Sequence, residues 1–225
     1  MISKEFVEYA NKVEGWLTNN EAMLLFKLSL SCKGDGEIVE IGSWKGKSTI
    51  WLAKGSQLGN KVFVNAVDPF IGDDKCGVED TFLQFNKNIN YDYLQTLINP
   101  IVKTSEEAAK DFDNPIGLIF IDGYHSYEAV RKDFENWFPK IVNNGWIAFH
   151  DTSGQRGPDK LMREEIFFSN ELRNIGFKDS ILYAEKCLHN TFFERFRNKI
   201  VYFRWEILQI LRKIRGWFIK PVYEQ

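Results

Sequence analysis

Short runs of β-branched and apolar residues recur along this chain, and most of them stop at a carboxylate. Ile38-Val39-Glu40-Ile41 carries one inside it. Val62-Phe63-Val64-Asn65-Ala66-Val67 ends at Asp68, the run over 116–121 ends at Asp122, and Trp146-Ile147-Ala148-Phe149 ends at His150-Asp151. Each is of strand length and bounded by turn residues. Between them the stretches 47–54, 80–97, 106–111 and 127–141 read as helices. Residues 101–102 and 181–183 read as further strands, and 160–174 as a further helix. Such alternation builds an α/β domain: a doubly wound sheet of about seven mostly parallel strands, with helices on both faces. In these sheets ligands bind beyond the carboxyl ends of the strands, which is where the four acids stand.

The loop after the first strand, Gly42-Ser43-Trp44-Lys45-Gly46-Lys47-Ser48-Thr49, opens a helix. Glycines let backbone approach a ligand, and a helix N-terminus offers free N–H groups. A P-loop needs G-x-x-x-x-G-K-[ST]; here Gly46-Lys47-Ser48 has its first glycine, Gly42, one residue too close. A dinucleotide fingerprint needs a second glycine where Trp44 stands. What remains is E-x-G-x-x-x-G, a nucleoside-binding loop that cradles no phosphate. Asp68, at the end of the second strand, is placed to accept both ribose hydroxyls, or else to cap the turn that follows it.

Asp122 and Asp151 end neighbouring strands, so a parallel sheet sets them side by side. Two carboxylates facing a cleft repel unless a cation or a shared proton intervenes. Hard oxygen ligands suit Mg²⁺, which could lower the pKa of an acceptor hydroxyl. His125 lies one helical turn beyond Asp122 and reads as a general base near neutral pH or as a turn residue bonded to backbone. His150 reads as a packing residue, an acceptor contact or a metal neighbour. Asp151 reads as a site carboxylate or as a cap.

Three segments taken together carry a resemblance: Val39-Glu40-Ile41-Gly42-Ser43 through Gly46-Lys47-Ser48-Thr49, Phe120-Ile121-Asp122-Gly123-Tyr124-His125-Ser126-Tyr127, and Gly145-Trp146-Ile147-Ala148-Phe149-His150-Asp151-Thr152. Over roughly 15–177 the chain resembles the Rossmann-like class I methyltransferases of the methyltransferase-24 family, related to sugar O-methyltransferases and catechol-type enzymes. The resemblance implies S-adenosyl-L-methionine at Glu40, Gly42, Ser43, Gly46, Ser48, Asp68 and Asp122, with adenine contacts near Ser105 and Glu106. It implies catalysis at His125, Asp122 and Asp151, with Mg²⁺ on the two aspartates in some members. Tyr124 stands where the family often has Asp, and Thr152 where catechol-type enzymes have Asn, so no third metal ligand carries over. The implied reaction is O-methylation of a sugar, glycan or other small-molecule hydroxyl. A nicotinamide-dependent oxidoreductase and a non-catalytic nucleoside-binding scaffold are the competing readings.

Composition sets the remaining expectations. At 225 residues and 44% hydrophobic content the chain suits one such domain, over 1–190 with an N-terminal helical cap. Thr18 and Glu21 have capping-box spacing at the start of one cap helix. Cys32, Cys76 and Cys187 are far apart with no ligand spacing, which fits a reduced, cytoplasmic setting without zinc. No signal peptide or run of eighteen apolar residues is present. The tail, 191–225, differs. From Glu194 onward eight basic residues meet three acidic ones, a balance of +5 against −7 for the rest. Ile200, Phe203, Ile207, Ile210, Leu211 and Ile214 recur at helical spacing, with Tyr202, Trp205, Trp217 and Phe218 interleaved. A helix packed on the domain, a homo-oligomer contact, or peripheral contact with the inner face of an anionic membrane are the three readings. An acidic body without an RNA-binding motif speaks against nucleic acid. Residues 72–90 and 155–163 are expected to cover and select the acceptor.

Overall fold

The computed structural model describes residues 2–71, 81–153 and 156–216, with backbone alone at 156 and 213–216. Two helices form the cap, α1 (Lys4–Lys12) and α2 (Asn19–Leu30). Ser3 caps the first, and Thr18 with Glu21 closes a capping box on the second. The alternating body follows as β1 (Glu37–Ile41), α3 (Lys47–Leu58), β2 (Val64–Val67), α4 (Thr81–Ile89), β3 (Ile98–Ile101), α5 (Ser105–Asp111), β4 (Ile116–Ile121), α6 (Tyr127–Trp137), β5 (Ile141–Phe149) and α7 (Arg156–Leu161). A hairpin of β6 (Leu172–Lys178) and β7 (Ile181–Lys186) and the long helix α8 (Phe192–Gly216) complete it.

The seven strands form one sheet in the order β3-β2-β1-β4-β5-β7-β6. The first five run parallel, and β7 lies antiparallel to both its neighbours. Side chains alternate between two cores. Ile38, Leu118, Phe120 and Ala148 join α1, α2 and α3 on one face, whereas Val39, Ile119, Ile147 and Phe149 join α5 to α8 on the other. The chain order reverses between β1 and β4, the position at which such sheets open a crevice.

One expectation is corrected. The segment 160–174 is not one helix: α7 ends at Leu161, a wide turn of π type covers Met162–Ile166, and the chain re-enters the sheet at Leu172. Leu172 already pairs with Lys186 of β7, and Asn174 takes a left-handed φ of 50°, so the helix cannot run to 174. Similarly, the helix expected over 80–97 stops at Ile89, and a 3₁₀ turn at Leu94–Leu97 leads into β3. Cys32 and Cys187 are buried free thiols. Residues 72–80, which hold Cys76, the whole 72–77 loop and the first part of the segment expected to cover the acceptor, lie outside the described residues, as do Gln155, Trp217, Phe218 and Lys220.

Candidate active site

The parallel ladder extends past the strands and fixes their end residues. Gly42 N–H donates to Val67 O at 2.9 Å, Asp68 N–H to Ile101 O at 3.2 Å, Asp122 N–H to Ile41 O at 2.8 Å and His150 N–H to Ile121 O at 3.0 Å. The four strand-end positions are thereby aligned along one rim. At the reversal point β1 and β4 nearly touch: a Cβ on Gly42, whose φ is +87°, would lie 2.2 Å from Asp122 O. Only glycine fits there.

Glu40 sits on the α3 side of the sheet and is fully buried. Its Oε2 accepts a hydrogen bond from the Thr49 hydroxyl of α3. Burial raises its carboxyl to about 7, against the opposing pull of the Ser48 and Thr49 hydroxyls. Glu40 Oε1 and Ser43 Oγ are buried and make no well-formed hydrogen bond among the described residues, although the Ser43 hydroxyl lies close enough to pull the Glu40 pKa down. Such groups are costly unless something donates to or accepts from them. Gly46, at φ +85°, starts α3, and Trp44 holds a left-handed φ of 44° between the two glycines. The cap clasps this loop. Trp16 stacks on Trp44 at 4.7 Å, Lys45 pairs with Glu14 at 2.8 Å, and Lys47 donates to Gly15 O.

Asp68 occupies the expected strand end. Its two oxygens accept the amides of Trp44 (2.8 Å) and Phe70 (2.6 Å). It therefore caps its own turn and tethers the glycine loop. Ser105 and Glu106 start α5 beyond β3, also as expected. Their side chains are engaged: Ser105 donates to Asp133 and accepts from Trp137 Nε1 at 2.9 Å, while Glu106 pairs with Lys110 and Lys132. Burial lifts the Asp133 carboxyl to about 6.

Asp122, His125 and Asp151 do meet. His125 Nε2 lies 3.0 Å from Asp151 Oδ2 and 4.0 Å from Asp122 Oδ1. One atom from each of the three falls within 4.8 Å of the others. Asp151 holds a left-handed φ of 53°, a conformation that costs energy and recurs at functional sites. Two further residues complete the cluster. His150 continues the alternation of β5 toward α2; its Nδ1 lies 3.0 Å from Asp122 Oδ1 and 3.7 Å from Asp151 Oδ2. Its Nε2 lies 3.5 Å from Glu21 Oε2, an ion-pair distance. Glu21 is 1% exposed and accepts from both the amide and the hydroxyl of Ser180.

This network resolves the expected repulsion. Burial opposes a charge on His150, but the carboxylates of Asp122, Glu21 and Asp151 outweigh it and raise its pKa well above 6.5. Burial likewise opposes ionisation of Glu21, yet the nearby His150 ring and hydrogen bonds from Ser180 and Thr18 hold it at about 2. Asp122 is raised, chiefly by burial. His125 is raised by its bond to Asp151. Asp151 is lowered despite burial, through the same bond and the two imidazoles. His150 Nδ1 thus faces both aspartates, and their charge favours the protonated form of the ring. The sequence already singles out His150, and the strand alternation that puts positions 120, 122, 148 and 150 on one face accounts for its place here; for Glu21 the sequence signals only a helix cap.

A sheet of this order, with a glycine loop after β1 and an acid after β2, defines the class I methyltransferase fold. Residues 39–152, just over half of the chain, match the profile of the methyltransferase-24 family, described as a methyltransferase domain, and the chain belongs to that family. It is 31% identical over 119 residues to y4gI of Sinorhizobium fredii (strain NBRC 101917 / NGR234), a protein of uncharacterised function, covering 51% of this chain and 13% of that one. This chain spans less than two thirds of the length of the curated relatives it matches. Among solved structures it is similar to the O-methyltransferase TomG of Streptomyces achromogenes, in complex with SAM (TM-score 0.61, 12% identity, 83% of this chain and 91% of that one). It is also similar to an O-methyltransferase from Bacillus cereus in complex with SAH (TM-score 0.55, 19% identity, 81% and 88%). At such identities the likeness is one of fold.

Proposed function

We propose that this chain is an S-adenosylmethionine-dependent O-methyltransferase whose acceptor is a hydroxyl of a sugar, glycan or other small molecule. The observation that carries the reading is the His125–Asp151 pair, 3.0 Å apart at the ends of β4 and β5, on the same sheet rim as the glycine loop and Asp68. The unpartnered Glu40 Oε1 and Ser43 Oγ fit a cofactor bearing an ammonium and a carboxylate, and the absence of a phosphate cradle fits a nucleoside without phosphates. When bound, the cofactor supplies a methyl group on a sulfonium: the C–S bond breaks as the acceptor O–C bond forms. The chain's share is orientation and proton removal. With Nε2–H donated to Asp151, His125 presents Nδ1 as the acceptor for the hydroxyl proton. Asp151 fixes the ring and stabilises its charged form.

A second reading rests on the clustering of Asp122, His125 and Asp151. Two carboxylates with water and an acceptor oxygen would suit Mg²⁺, which would lower the hydroxyl's pKa. His150 Nδ1 already faces both aspartates, so a dication there would meet the imidazole as a neighbour.

Titration calorimetry with S-adenosylhomocysteine, with and without Mg²⁺, is the first test, followed by methyl transfer from labelled cofactor to a panel of hydroxylated acceptors. Binding in the micromolar range, about −8 kcal/mol, with transfer that depends on His125 supports the reading. Binding without transfer to any acceptor points to a nucleoside-binding scaffold, and no binding removes the proposal.

A further inference from the structure

The helix α8 is bound to the domain by one face only. Trp205, 1% exposed, packs on Phe167 under the Arg163 guanidinium, and Asn198 donates to Leu172 O at 2.9 Å. Gln209 is buried and Arg212 donates to Asp179 O. The opposite face carries Phe193, Phe196, Ile200, Phe203, Ile207 and Ile210, spaced alternately by three and four residues, and every one is exposed, by 47% to 81%. A solvated helix face is ordinarily polar; a continuous apolar stripe of this length marks a docking surface.

Charge selects the occupant. Exposed Arg197, Lys199 and Arg204 border the stripe. The acids of the helix are already engaged, Glu206 by Arg163 and Glu194 by Arg173 and Thr191. Two copies meeting along the stripe would set cation against cation at the flanking positions that normally carry complementary charges. At the edge of the stripe a cavity of about 320 Å³ lies between α8 and the β6–β7 hairpin: apolar walls from Ile175, Phe177, Ile200 and Val201 meet Arg197, which also donates to Asn174, and Arg204. Paired guanidinium groups over an apolar floor match a phosphate joined to a hydrocarbon. No helix among the described residues is long and apolar enough to cross a membrane.

We propose that α8 lies flat on an anionic lipid bilayer, its Phe and Ile stripe in the interface and Arg197, Lys199 and Arg204 on lipid phosphates. The inference does not depend on the enzymatic reading. The test is co-sedimentation of the full chain with vesicles of phosphatidylcholine alone or with roughly one third phosphatidylglycerol. About tenfold or greater preference for the anionic vesicles is expected, weakening as salt rises. Phe196→Ser with Phe203→Ser, and separately Arg197→Gln with Arg204→Gln, should each reduce partitioning about tenfold. Thermal unfolding should stay close to wild type, because these side chains are exposed. Absent binding, or equal binding to both vesicle types, overturns the proposal. So does a dimer in sedimentation equilibrium that the phenylalanine pair dissociates, which would make a second copy the occupant.

Discussion

His150 Nδ1 lies 3.0 Å from Asp122 Oδ1, and through it a buried imidazolium joins the candidate site to the capping helix α2. Removing one member of a buried charge cluster leaves the rest uncompensated. His150→Ala should therefore lower stability by about 3–5 kcal/mol in urea unfolding, and adding Glu21→Gln should recover part of that loss. The pH dependence has two limbs. Glu21 is depressed from 4.5 to about 2, so its contribution is present above 4.5 and fades as pH falls toward 2. His150 is raised above 6.5, so its contribution is full below 6.5 and fades as pH climbs through the raised value. Maximal stability between these limbs, absent in the double variant, is the expected profile; a flat profile in wild type would show the cluster to be uncharged.

Glu40 predicts a pH dependence of ligand binding. Its carboxyl sits near 7, so it is largely protonated in the free protein at pH 6 and ionised at pH 8. An ammonium group brought beside it favours the carboxylate. S-adenosylhomocysteine should bind about tenfold more tightly at pH 8 than at pH 6, with proton release at the lower pH. Calorimetry in buffers of different ionisation enthalpy reads that release directly. Glu40→Gln should abolish both effects, and an equal affinity at both pH values in wild type would place the ammonium elsewhere.

The rim of the site was legible because short apolar runs carry an acid at or near their ends: Glu40, Asp68, Asp122 and Asp151 needed only the rule that ligands gather at carboxyl ends of strands. The Glu21–His150 contact was not, because no local pattern encodes an approach between helix α2 and the end of β5. The strand β6 was hidden for a different reason. Its pairing with β7 shifts register between Arg173 and Gly176, with Asn174 at a φ of 50°. That irregularity erases the alternation that would have signalled a strand. The two faces of α8 were blurred in the same way: Trp205 and Phe203 look alike in sequence, yet one is buried and the other exposed.

Asp68 separates capping from ribose binding by its amide. The carboxylate accepts Trp44 N–H and Phe70 N–H on different oxygens. Asp68→Asn offers one acceptor oxygen, so one amide loses its partner at a cost of about 1–3 kcal/mol. If the residue also holds ribose hydroxyls, affinity for S-adenosylhomocysteine should fall about tenfold or more beyond what that loss of stability accounts for. The comparison to make is calorimetric affinity at a temperature where the variant is fully folded. Unchanged affinity would leave Asp68 as a cap alone.

His125 is the sharpest test of the chemistry. Its ring is partly exposed and its main partner is Asp151 at 3.0 Å, so His125→Gln should lower stability by no more than about 1 kcal/mol. A general base contributes on the order of 10²–10⁴ in rate. Methyl transfer should fall by that factor while the affinity for S-adenosylhomocysteine stays within about twofold, as the proposed role at the acceptor requires. Asp151→Asn should produce a smaller loss of the same kind, because the imidazole remains but its orientation and charged form lose support. If His125→Gln leaves turnover intact while Asp151→Asn abolishes it together with a Mg²⁺ requirement, proton removal belongs to a metal-bound hydroxyl, and His125 is a bystander at the rim.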